Sequence, residues 1–345
     1  MPQTVQFTEN LIDSHLLVDV RTPLEYAEDH LPGAVNVPLL TNEERVEIGT
    51  LYKQLGPHLA RIRGLELTAA RFPEMVAEIA TKAAGRPIVV YCWRGGLRSR
   101  TVTEILDLTG YNAVQLAGGH KAFRNRVMSY FNPFIPPAPL VVMHGMTGIG
   151  KTTFLELLKK RGHSVVDLEG IACHRGSAFG ALGLSQEHLT QKSFETSLWQ
   201  AFHNCDPAKP IIVEGESRRI GKLFLPGDLY DVMRDSIKVW CTASMETRVE
   251  RLIDEYGKPE YRQGMSEALD RIQKKLGGDN HRELKKHLEQ WELRSFMHGL
   301  MERYYDRTYY RVREWTEDFT LSLEDFNIAA DELEQQLNGR IQLPG

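Results

Sequence analysis

Cysteine is scarce in this chain and never clustered. Cys92, Cys173, Cys205 and Cys241 lie far apart, with no Cys-x-x-Cys pair. That argues against both structural zinc and a disulfide framework, and fits a reducing compartment, the cytoplasm. Long apolar runs are also missing. "PIVVYCW" and "PLVVMHGM" fall far short of the roughly 20 residues that cross a bilayer. The opening "MPQTVQFTEN" has no basic start leading into an apolar stretch, so no secretory signal is expected. Neither sign of charge dominates: 42 Lys and Arg against 46 Asp and Glu give a net charge of −4. Bulk charge therefore does not advertise nucleic-acid binding, although a near-neutral total can hide a basic face. No internal repeat or low-complexity tract occurs. What remains, 345 residues with 42% hydrophobic and 26% charged, is the composition of a globular chain of about two domains.

The boundary falls at "FNPFIPPAPL", residues 131–140, where four prolines in ten residues exclude a helix or a central strand. Before it, strand patterns at 15–20, 34–38, 87–92 and 113–119 alternate with helical patterns at 22–30, 72–84 and 99–110. After it the rhythm restarts with "LVVMHG", "KTTFLELLKKRG", "SVVDLE", "PIIVEG" and "IKVWCTA". The expectation is an α/β domain over 1–130, a Pro-rich linker over 131–140, and a second α/β domain over 141–345, mainly helical from about 244.

Two loops carry chemistry. In "YCWRGGLRSR" (91–100), Cys92 ends a buried strand and Arg94, Gly95, Gly96, Arg98 and Arg100 follow before or within a helix. A thiol at the carboxyl edge of a parallel sheet meets loop N–H groups, a helix N-terminus and guanidinium groups, all of which favour the thiolate. Cys92 thus reads as a nucleophile; a plain buried cysteine at a strand end is the alternative. The spacing Cys92-x5-Arg98 also suits a tetrahedral oxyanion, ringed by N–H donors and capped by a bidentate cation.

"GMTGIGKT" (145–152) follows a strand and opens a helix, which is the context of a phosphate-binding P-loop. Gly145, Gly148, Gly150, Lys151, Thr152 and Thr153 are the expected phosphate or diphosphate ligands, with the Thr152 hydroxyl available to Mg2+. Asp167, Glu169, Glu214 and Glu216 are carboxylates that could face a metal or substrate there, or merely cap helices and pair on the surface. No NKxD motif is present, which argues against a GTPase. His174, Arg175, Ser177, Arg218 and Arg219 lie in polar, Gly-containing segments and are candidates for substrate or RNA contact. In "RYYDRTYYR" (303–311) basic and aromatic residues interleave, but Tyr304, Tyr305 and Tyr309 at helical spacing read first as packing residues, and Leu284, Leu288 and Trp291 as core.

A resemblance sharpens both readings. "DVRTPLEYAEDHLPGAVNVP" (19–38) and "LAGGHKAF" (116–123) resemble the entry and closing segments of rhodanese domains, with Cys92 at the position of their sulfur- or selenium-carrying cysteine. The Cys92-to-Arg98 loop is one residue longer than in many sulfurtransferases, as in related phosphatases and arsenate reductases, so a bulkier anion is implied. A rhodanese-like domain fused to a P-loop domain, with "HRGSAFG" (174–180) and "VEGESRRIG" (213–221), resembles the tRNA 2-selenouridine synthase family. That resemblance implies a tRNA substrate with 2-thiouridine at the wobble position and selenophosphate as selenium donor, delivered by a supply enzyme. It also implies geranyl diphosphate as co-substrate for an S-geranyl intermediate. Two rivals stand beside it: a Cys-x5-Arg phosphatase or arsenate reductase with a nucleotide-binding module, and a small-molecule kinase with a regulatory rhodanese domain.

Overall fold

Short apolar strands decide where the sheets form. The computed structural model describes residues 2–175, 177, 179–180, 182–184, 189–215, 217–312 and 315–340. The chain divides into two units, residues 1–132 with 190–196, and residues 133–189 with 197–345.

In the first unit, β1 (Thr4–Val5), β2 (Leu16–Asp19), β3 (Val35–Asn36), β4 (Ile88–Tyr91) and β5 (Ala113–Leu116) form a parallel sheet in the order β1-β5-β4-β2-β3. β2 and β4 are buried at every position, as central strands covered on both faces must be. The helix Phe72–Ala83 turns Met75, Ile79 and Ala83, four residues apart, into this core. Two helices absent from the sequence reading, Asn42–Leu55 and Pro57–Thr68, stand between β3 and that helix. They were illegible because they have no buried stripe: Val46, Tyr52, Leu55, Leu59, Ile62 and Leu65 are all exposed.

The second unit holds β6 (Leu140–Gly145), β7 (Ser164–Val166), β8 (Ile211–Glu214), β9 (Arg219–Ile220), β10 (Leu223–Phe224), β11 (Ile237–Thr242) and β12 (Phe319–Ser322). Five of them make a parallel sheet in the order β12-β11-β6-β8-β7, and β9 and β10 make a separate antiparallel pair. Side chains alternate across a strand. Val141 and Met143 of β6 and Val239 and Cys241 of β11 therefore enter one core, under the helices Lys151–Lys160 and Phe326–Arg340. The region after 244 is mainly helical, as expected, and β12 adds to it one strand beside β11, four residues alternately buried and exposed. The helices Met245–Tyr256, Arg262–Leu276, Gly278–Glu289 and Leu293–Leu300 pack around a second core that includes Leu284, Leu288 and Tyr305, with Trp291 and Tyr304 against it. Met301–Tyr305 is a π-helical turn leading into the helix Asp306–Val312. Among the described residues no helix is long and apolar enough to cross a membrane.

Candidate functional site

In the first unit Cys92 leaves the carboxyl end of β4 and is 3% exposed. The Gly96 N–H donates to its Sγ at 3.3 Å, and Ser99 Oγ lies 3.1 Å from the sulfur. Gln115 of β5 donates to both Ser99 Oγ (2.8 Å) and Gly96 O (3.2 Å), so the turn around the thiol is tied to the neighbouring strand. From below, His120 and Lys121 N–H groups donate to Cys92 O and Trp93 O, each at 2.9 Å. That approach demands glycine before them. A Cβ on Gly119 (φ +56) would stand 2.2 Å from Cys92 O and 2.6 Å from Gly95 N.

The three arginines do not converge on the sulfur. Arg94 is exposed, and Arg100 pairs with Glu104 one turn along its own helix. Arg98 gives its fork to Glu25, at 2.6 and 3.1 Å. Burial works against the Glu25 carboxylate, but the hydrogen bonds and charge of Arg98 outweigh it and hold the group at about 2. Glu25 also accepts from Thr22 N–H in the capping box of the helix Pro23–Glu28. The loop is thus braced through Arg98 by the segment at 19–38.

That segment also builds a buried charge network that sequence reasoning missed. Arg21 binds Asp19 (2.6 Å) and the carbonyl of Asp29 (2.6 Å), with Arg21 and Asp19 essentially unexposed. Asp29 Oδ2 meets His120 Nε2 at 3.0 Å and Arg124 Nε at 3.6 Å. Arg124 continues to Glu195 and Thr196. Burial pulls the His120 imidazole below its ordinary value, Asp29 opposing. The His120 ring stacks on Trp93 (5.4 Å), over which Lys192 Nζ sits at 5.8 Å. The acidic and basic letters of "DVRTPLEYAEDH" were the available signal, but only the fold pairs them with residues about 90 positions away.

In the second unit Gly145 ends β6, Gly148 and Gly150 take positive φ, and Lys151 begins the helix carrying Thr152 and Thr153. Each glycine is a close approach: a Cβ on Gly145 would meet Ile149 Cδ1 at 2.1 Å, and one on Gly150 would meet Phe326 Cζ at 2.7 Å. Lys151 Nζ reaches back to Gly145 O at 3.5 Å. Two arginines one turn apart on the helix Met245–Tyr256 hold the loop's carbonyls. Arg248 Nε donates to Thr147 O at 2.9 Å while its fork binds Asp306, and Arg251 donates to Ile149 O at 2.5 Å and Leu323 O at 2.7 Å. Arginine thus takes up the loop's carbonyls, an arrangement that can turn the loop's N–H groups to an anion. "TRVER" offered only an i, i+3 arginine pair as a signal.

Comparison with known proteins resolves the class. Residues 138–338 match the family described as the tRNA 2-selenouridine synthase AAA domain, and residues 4–126 match the rhodanese-like domain. The tRNA 2-selenouridine synthase of Pseudomonas syringae pv. syringae (strain B728a) is 33% identical, over 86% of this chain and 88% of its own length. The chain belongs to the tRNA 2-selenouridine synthase family. The synthase of that name from Shewanella loihica is 34% identical, over 79% of this chain and 77% of its own. Among solved structures, the N-terminal domain of a protein described as ATP/GTP binding, from Clostridium difficile 630, is 38% identical, with a TM-score of 0.34. It covers 36% of this chain and 98% of that one.

Within this tRNA 2-selenouridine synthase family chain the other candidate residues are placed as follows. Glu214, at the end of β8, is fully buried and accepts from the backbone N–H of Glu169 (2.8 Å). Glu169 is itself buried, and Asp167 caps the short helix after β7 through Gly170 N–H (2.7 Å). Glu216 lies outside the described residues. Among the described residues no group of three or more His, Cys, Asp or Glu could hold a metal ion. His174 packs against Gly221, Arg175 pairs with Glu255 (2.5 Å) and donates to Leu182 O (2.7 Å), and Ser177 Oγ accepts from Phe179 N–H (3.2 Å). Burial raises the Glu255 carboxyl despite Arg175. Arg218 and Arg219 are exposed on and before β9, Arg219 over the Phe224 ring at 5.7 Å.

Proposed function

We propose that this chain is a tRNA-modifying transferase that replaces the sulfur of wobble-position 2-thiouridine with selenium from selenophosphate, through an S-geranyl intermediate made from geranyl diphosphate. The observation that carries the reading is the pairing, in one chain, of a buried thiol that accepts from the Gly96 N–H with a phosphate loop, both inside the span shared with relatives named for this reaction.

In the first step the thiouridine sulfur attacks C1 of geranyl diphosphate. The carbon–oxygen bond breaks, its electron pair leaves with the diphosphate, and the base loses its N3 proton. The N–H groups of residues 148–150, Lys151, Thr152 and Thr153 would receive the departing charge, which is the arrangement that lowers such a barrier. Mg2+ bound at Thr152 would add further charge stabilisation. In the second step the selenium of selenophosphate attacks C2 of the base and expels geranylthiolate, with Cys92 orienting the donor. Water then cleaves the selenium–phosphorus bond, releasing phosphate and restoring the N3 proton. Arg94, exposed on the loop, and the N–H groups at Gly95 and Gly96 would receive selenophosphate, with Arg98 reaching it if released from Glu25. His174, Arg175, Ser177, Arg218 and Arg219 are proposed tRNA contacts.

The test is nucleoside mass spectrometry of tRNA from selenium-fed cells lacking the gene, complemented with wild type, Cys92→Ser or Lys151→Ala. We expect 2-selenouridine with wild type only, geranylated thiouridine accumulating with Cys92→Ser, and neither product with Lys151→Ala. Identical nucleosides in all strains would refute the reading.

A further inference from the structure

The second unit holds an aromatic cluster that the diphosphate chemistry does not use. β6 and β11 lie side by side in register, with Trp240 opposite His144. Since Met143 and Cys241 enter the core under the helices, the alternation of a strand turns His144 and Trp240 to the other face. Trp315 lies across them, its ring 4.0 Å from that of His144 at 38° and 6.0 Å from that of Trp240 at 62°. Tyr309 closes the group 5.9 Å from Trp240. Trp240 is 8% exposed, and His144, Tyr309 and Trp315 are half-buried and open to solvent.

Two features join this cluster to the phosphate loop. His144 immediately precedes Gly145, the loop's first glycine. On the other side, a Cβ on Gly215 would stand 2.1 Å from His144 Nδ1, so the absence of a side chain after β8 is what leaves room for the imidazole. A ligand with its diphosphate in the loop would therefore have the next few atoms of its skeleton beside His144 and Trp315.

We infer that His144, Trp240, Tyr309 and Trp315 form the seat of the donor's allylic hydrocarbon chain. This rests on the geranyl diphosphate reading above and deepens it. Positive charge develops over the allylic carbons as the carbon–oxygen bond lengthens, and aromatic faces stabilise such charge. The same rings bury the apolar chain. A phosphate loop serving only a bare phosphate has no need of four aromatic rings at this edge.

The experiment titrates geranyl diphosphate and inorganic pyrophosphate calorimetrically into full-length wild type, Trp315→Ala and Trp315→Phe. Wild type is expected to prefer geranyl diphosphate, with tryptophan fluorescence changing on geranyl diphosphate but not on pyrophosphate. Trp315→Ala should lower affinity for geranyl diphosphate about tenfold and leave pyrophosphate unchanged, and Trp315→Phe should restore most of the preference. Equal losses for both ligands would make Trp315 a support of the loop and overturn the inference. Unchanged affinity for both, with weaker tRNA binding, would make the cluster a base-stacking platform and overturn it too. If wild type itself does not prefer geranyl diphosphate, the donor reading falls and the inference with it. If wild type prefers it and Trp315→Ala keeps that preference, the inference alone falls.

Discussion

Gly119→Ala tests how the thiol loop is held, and Gly85→Ala supplies its control. Both glycines have positive φ, +56 and +85. A Cβ on Gly85 meets nothing within 4 Å, whereas one on Gly119 would press on Cys92 O at 2.2 Å, Gly95 N at 2.6 Å and Arg94 N at 3.1 Å. Gly85→Ala should cost only the left-handed backbone penalty, about 1–2 kcal/mol. Gly119→Ala carries the same penalty and must also push the loop off the His120 and Lys121 N–H groups. Those two hydrogen bonds add about 0.5–1.5 kcal/mol each. The excess over the control is then about 1–3 kcal/mol, which is roughly a fivefold to 150-fold further loss of hydrogen-exchange protection. The assay is exchange at the β4 amides in the full-length protein. Protection in Gly119→Ala no lower than in Gly85→Ala would refute the argument that backbone contact at Gly119 holds the Cys92 loop.

Arg251→Ala removes the donors to Ile149 O and Leu323 O and should weaken inorganic pyrophosphate binding about tenfold, given about 1.5–3 kcal/mol for a charged donor, read by calorimetry. Glu25→Gln bears on acid stability: the Glu25 pKa is lowered from 4.5 to about 2, so its contribution is complete above about 4.5 and lost as pH falls toward 2. The variant should be less stable at pH 7 and show a flatter decline between pH 5 and 3 in urea unfolding. His120 is held below 6.5 by burial, so the unfolded chain takes up a proton first. Stability should therefore fall as pH drops through about 6.5, and His120→Gln should remove that slope. Burial pushes Cys205 up to about 11 and Cys241 up to about 12. Both should resist iodoacetamide in the native protein at pH 8, with peptide mass spectrometry as the check.

The chain's local chemistry was legible without coordinates. Apolar runs at 87–92 and 140–145 sit where β4 and β6 form, because a strand buried on both faces needs no help from its neighbours in sequence. Glycines and a lysine in "GMTGIGKT" announce a phosphate loop because the backbone approach and the terminal cation are spaced along one continuous segment. Two exposed helices, Asn42–Leu55 and Pro57–Thr68, escaped because they have no apolar stripe to read, and β12 because four residues carry too little pattern.

Only tertiary structure decided the partners. Arg98 looked like an anion ligand and is held by Glu25, 73 residues away. Asp29 finds His120, and Arg248 finds Asp306, across similar gaps. Charged side chains near the interior take the best opposite charge that packing brings within reach, and no spacing rule along the chain encodes that choice. The same holds for His144, Trp240, Tyr309 and Trp315, which the sequence scatters over more than 170 positions. Strand register and the pleat, set by which faces the helices cover, bring His144 and Trp240 to one face beside the phosphate loop, and Tyr309 and Trp315 are laid against them from outside the strands.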